Sequence, residues 1–63
     1  MTTFISAILE YKNFPGYYYC DSQLGYTTDL FVAEMYTSVK EAEEARSRLK
    51  NREDLIVREI WIK

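Results

Sequence analysis

The chain is predicted to fold as an α+β domain of two layers, an antiparallel sheet of three to four strands packed on one helix in the order β-β-(β)-α-β. Three observations predict it. Residues 3–11 and 55–62 are runs rich in β-branched and aromatic residues, with apolar side chains at alternate positions. Residues 39–49 instead repeat their apolar positions at the helical period, behind a capping serine. Between the first strand and the helix, Pro15-Gly16 and Gly25 supply chain reversals.

Thr3–Tyr11 reads as a strand with Ile5, Ala7, Leu9 and Tyr11 on one side. Phe4 and Ile8 fall on the other side, among Ser6 and Glu10. Lys12–Gly16 is a turn, because Pro15 fixes one φ and Gly16 permits the positive φ that reverses the chain. Tyr17–Cys20 then forms a second strand, with Tyr17 and Tyr19 on one face and Tyr18 and Cys20 on the other. Tyr18 and Cys20 are expected to point inward and Tyr17 and Tyr19 outward. Asp21–Gly25 is the next turn, and Gly25–Thr27 is a short third strand or bulge ended by Thr28 and Asp29.

Asp29 can cap a brief turn through Leu30–Ala33, after which Glu34–Tyr36 returns to extended structure. Ser38 and Glu41 form a capping box that starts a helix at Val39. Glu41, Glu43 and Glu44 come early and Arg46, Arg48 and Lys50 late, the order that complements the helix dipole. Its apolar stripe is Val39, Ala42, Ala45 and Leu49, and the alanines let it lie close to the sheet. Asn51–Asp54 closes the helix. The last strand, Leu55–Ile62, sets Leu55, Val57 and Trp61 against Ile56, Ile60 and Ile62 and is expected to pair with the first.

Both long strands are thus apolar on both sides, while one helix covers one side. A sheet of that kind needs a second cover, so one face is expected to meet another protein chain. Size points the same way. A chain of 63 residues buries only about 60% of the surface its unfolded form exposes, and small domains commonly add disulfides, a metal or a partner subunit. Cys20 is the only cysteine and histidine is absent, which excludes an intrachain disulfide and leaves no plausible zinc site. A homo-oligomer is the expected device, with no cofactor and no metal.

Composition narrows the function classes. The net charge is -2, and phosphate-backbone binding needs clustered Lys and Arg, so direct nucleic-acid binding is not expected. Within residues 1–38 Lys12 is the only basic residue, against Glu10, Asp21, Asp29 and Glu34. That acidic, tyrosine-rich front half suits either a solvated edge or a basic partner surface. No run approaches the ~20 apolar residues of a membrane span, and Phe4–Leu9 is too short for a signal-peptide core, so a soluble cytoplasmic protein is expected. Catalysis has no foothold: there is no histidine, Cys20 and Asp21 point to opposite faces as strand neighbours, and no glycine-rich phosphate loop is present. Cys20 reads as a small buried hydrophobe.

The aromatic residues carry the functional signal. Tyr11, Phe14, Tyr17, Tyr18, Tyr19, Tyr26, Phe31, Tyr36 and Trp61, with Phe4, fill much of the core, but they cannot all face the helix. Tyrosine combines a rigid apolar body with a hydroxyl that tolerates water, which enriches it in protein interfaces. The partner-binding set expected on the uncovered face is Tyr17 and Tyr19, with Phe4, Ile8 and Arg58. A competing reading is a nucleotide-binding sponge, in which an oligomer stacks a small ligand on the same rings and Arg58 supplies donors.

The succession Tyr17-Tyr18-Tyr19-Cys20, Gly25-Tyr26-Thr27, Asp29-Leu30, Ala33, Tyr36-Thr37-Ser38, Glu41-Ala42-Glu43 and Ile56-Val57-Arg58-Glu59-Ile60 resembles small uncharacterised bacteriophage accessory proteins. The resemblance covers most of the chain. It implies an inhibitor or modulator that binds a host or defence protein in the host cytoplasm, often as a homodimer. It carries over no functional residue.

Overall fold

The computed structural model describes residues 2–21 and 24–63. Its strands are β1 (Thr3–Tyr11), β2 (Tyr18–Tyr19), β3 (Tyr26–Thr27) and β4 (Leu55–Ile62), with helix α1 (Val39–Ser47) before β4. All pairings are antiparallel, and the sheet order is β3-β2-β1-β4. The predicted α+β architecture is therefore present, with four strands. The two long strands form the centre and one edge. Ser22 and Gln23, in the predicted second turn, lie outside the described residues.

The first reversal uses two successive turns. Phe14 N–H donates to the Tyr11 carbonyl at 3.1 Å and Tyr17 N–H to the Phe14 carbonyl at 3.0 Å. In the second, Pro15 precedes Gly16 at φ 91°, the type II arrangement that a side chain at the second central position would strain. Glu10 reinforces it by accepting from the Gly16 N–H at 3.1 Å. Tyr11 N–H then bonds the Tyr17 carbonyl at 2.9 Å, setting the register Glu10 opposite Tyr18.

Between β3 and α1 the chain behaves as its caps dictate. Asp29 accepts the Phe31 N–H on its side chain at 2.9 Å, and its carbonyl accepts from Val32 and Ala33. Tyr36 then exchanges two backbone bonds with Ala7, at 2.8 and 2.9 Å, which fastens this segment to β1. Ser38 caps α1 by accepting the Glu41 N–H at 3.1 Å. The box is not reciprocal, however: the Glu41 carboxylate accepts from the Thr37 hydroxyl. The helix ends at Ser47, and Arg46 Nε donates to the Leu55 carbonyl at 2.6 Å, tying the helix to β4.

Ala7, Leu9, Ala42 and Leu55 form the core between sheet and helix. Phe4, Tyr11, Tyr19, Tyr36, Val39, Leu49 and Val57 pack around it. Burying an aliphatic side chain the size of Leu9 or Leu55 contributes about 1.5–3 kcal/mol, so a few such residues carry much of a small domain's stability.

Two sequence expectations need correction here. The register of β1 on β4 slips between Phe4 and Ser6, with Phe4 opposite Trp61 and Ser6 opposite Ile60. Ile5 is the extra residue of this bulge and is exposed, while Phe4 turns to the helix side and meets Trp61 edge-to-face at 5.3 Å and 80°. Ile5 and Phe4 have therefore exchanged their expected faces. Second, Ile8 was expected on a bare face but is only 1% exposed. Arg58 lies directly opposite it on β4, and Cys20 and Ala33 are buried outside the helix-side cluster. At Ile8 the second cover comes from this chain itself.

Candidate functional site

Four aromatic side chains converge on one open hollow. Tyr11, Phe14, Tyr17 and Tyr26 line a cavity of about 290 Å3 at the hairpin end of the sheet. The register explains their meeting. Tyr17 lies across from Tyr11, Tyr26 is opposite Tyr19 on the next strand, and the Tyr11–Phe14 turn brings in the fourth ring. Phe14 and Tyr17 have centroids 6.1 Å apart and tilted by 56°, and Tyr17 and Tyr26 are 5.5 Å apart at 38°. Phe14 is 63% exposed, Tyr17 40% and Tyr26 42%, so their rings stand partly in water.

Tyr11 anchors the hollow to the fold. Its hydroxyl donates to the Gly25 carbonyl at 2.9 Å and accepts from Asn51 Nδ2 at 3.1 Å, joining β1 to the second turn and to the chain after the helix. Gly25 adopts φ 76° where it receives this bond, a conformation open to glycine and strained for most other residues. An adjoining hollow of about 220 Å3 is lined by Tyr11, Asn13, Phe14 and Asp54. It shares two rings with the first and adds one carboxylate.

The five residues expected to share an uncovered face are divided. Tyr19 and Phe4 pack against the helix-side core. Tyr17 stands on the same side as Tyr19, but beyond the helix, in the aromatic hollow. The inward–outward assignment is split: Tyr17 is exposed and Cys20 buried, as expected, but Cys20 is buried outside the helix-side cluster and Tyr19 packs against that cluster. Ile8 and Arg58 sit opposite each other on the other face. There Arg58 Nε lies 3.6 Å from Glu10 Oε1, with the arginine side chain 59% exposed. Tyr17 alone of the five belongs to the hollow.

Tyr11, Phe14 and Tyr26 were not among the expected site residues, although a signal for them was present. A five-residue turn over 12–16 pairs Tyr11 with Tyr17, and Tyr11 already belonged to the side of Ala7 and Leu9. Its phase places Tyr17 and Tyr19 there too.

Burial raises the tyrosine hydroxyls that lie deeper. Tyr19 titrates above the ordinary 10.0 first because it is desolvated, then because Asp21 and Glu34 are nearby. Tyr36 is raised for the same first reason, with Glu34 the leading charge. Both therefore stay neutral through the physiological range. Among the described residues, no group of three or more His, Cys, Asp or Glu side chains is placed to hold a metal ion, and no helix is long and apolar enough to cross a membrane. No protein-family model, curated protein or solved structure matches the chain.

Proposed function

We propose that the protein is a non-enzymatic interaction module that binds another protein through the aromatic hollow of Tyr11, Phe14, Tyr17 and Tyr26. The observation that carries this reading is the convergence of four rings on an open cavity, three of them at least 40% exposed, in a domain whose core is small. Leaving such rings in water forgoes burial of roughly 25 cal/mol per Å2, which a partner surface would recover. The resemblance to phage accessory proteins supplies the context, an inhibitor or modulator of a host or defence protein.

A nucleotide ligand fits the same rings less well. Stacking is available, but the residues lining the hollow include no Lys or Arg to meet a phosphate. Affinity capture from host lysate with the parent chain and with Tyr17→Ala/Tyr26→Ala tests the proposal, with circular dichroism as the check of folding. A stoichiometric protein held by the parent and lost by the folded variant supports it. A partner retained equally by both, or none held by either, refutes it.

A further inference from the structure

The chemistry around the hollow specifies what the partner presents to it. The lining is purely aromatic, and rings carry negative charge on their faces, which attracts a cation besides offering apolar surface to bury. The adjoining hollow, which shares Tyr11 and Phe14, adds the Asp54 carboxylate. Neither hollow is lined by Lys or Arg, and Lys12 is the only basic residue among residues 1–38, against four acidic ones. The site is therefore negative from two sources, ring quadrupoles and a carboxylate.

Those two sources call for different features in one group. A ring face takes a weakly hydrated cation, and a carboxylate takes N–H donors. A quaternary ammonium would satisfy the rings but offer Asp54 no donor. A lysine ammonium would satisfy Asp54 but is compact and strongly hydrated. A guanidinium does both, because it stacks on aromatic faces while its edge donates a fork of N–H groups. We infer that the hollow receives the guanidinium of an arginine side chain on the partner protein, stacked among Phe14, Tyr17 and Tyr26 with its edge toward Asp54.

This inference rests on the binding reading above and sharpens it: the partner surface is basic at its contact. The site is also held ready, since the Tyr11 hydroxyl is committed to Gly25 and Asn51, which leaves its ring for the ligand.

The test uses the full chain and three small probes: N-acetyl-arginine methylamide, its citrulline counterpart and its lysine counterpart. Citrulline keeps the shape of arginine and removes the charge. Titrations followed by the ring proton resonances of Tyr17 and Tyr26 should show the arginine probe binding roughly fivefold or more tightly than citrulline, and more tightly than lysine. Asp54→Asn, a change at an exposed position, should weaken arginine binding severalfold and citrulline binding much less.

Equal binding of arginine and citrulline, tighter binding of lysine, or no shift with any probe overturns the inference. These failures are separable from failure of the binding reading. If partner capture still depends on Tyr17 and Tyr26 while arginine shows no advantage, the surface stands and its cationic occupant is wrong. If capture does not depend on those tyrosines, the surface itself is wrong.

Discussion

Removing one oxygen from Tyr11 should loosen both the fold and the site. Tyr11→Phe keeps the ring but deletes the hydroxyl that donates to Gly25 at 2.9 Å and accepts from Asn51 at 3.1 Å. Each such bond contributes about 0.5–1.5 kcal/mol net. Both are partly buried, so water replaces some of what is lost, and a total of about 1–2 kcal/mol follows. In a domain of this size 1 kcal/mol shifts Tm by about 4–8 °C, so Tm should fall by roughly 5–15 °C. Urea denaturation should show a lower midpoint with an unchanged slope, because the exposed surface hardly changes. A cycle with Asn51→Ala should give a coupling of about 0.5–1 kcal/mol between the two positions. An unchanged midpoint, or strictly additive single variants, would refute the view that this hydroxyl ties β1 to the chain beyond the helix.

Three further outcomes are expected. Ser38→Ala removes the acceptor for the Glu41 N–H and should lower stability by about 1 kcal/mol in urea denaturation; no change would show that the cap contributes nothing. Ser6 Oγ is buried and, among the described residues, has no hydrogen-bond partner, so Ser6→Ala should raise stability by about 1 kcal/mol, and a loss of that size would contradict the orphaned hydroxyl. Tyr19 and Tyr36 are both raised above 10.0, so the unfolded chain releases their protons first as pH rises, and stability that is full below about pH 10 should decline above it. Tyr19→Phe should flatten that decline between about pH 9 and pH 11, whereas a parent midpoint that is level or rising there would contradict the assignment.

The elements were legible in the sequence where local chemistry decides them. Thr3–Tyr11, Leu55–Ile62 and the helix start at Val39 all appear where alternation or the Ser38 cap places them. Pro15-Gly16 forms the predicted turn because only that pair presets both dihedrals. Faces were harder to read, because side-chain parity survives only while the ladder is regular. The bulge at Ile5 resets it and moves Phe4 to the helix side, and nothing in Phe4-Ile5-Ser6 marks the insertion. The burial of Ile8, opposite Arg58 on β4, comes from parts of the chain that no local pattern brings together. The aromatic hollow was half legible: Tyr17 was singled out, but its company with Tyr11, Phe14 and Tyr26 depends on turn length and strand register together.

The most direct measurement is the affinity of the captured partner for the parent chain and for Tyr17→Ala, by isothermal titration calorimetry. An aromatic at the centre of a contact carries about 2 kcal/mol or more, so Kd should rise roughly thirtyfold while circular dichroism remains that of the folded chain. A folded Tyr17→Ala protein that binds its partner as tightly as the parent would contradict the assignment of the aromatic hollow as the binding surface.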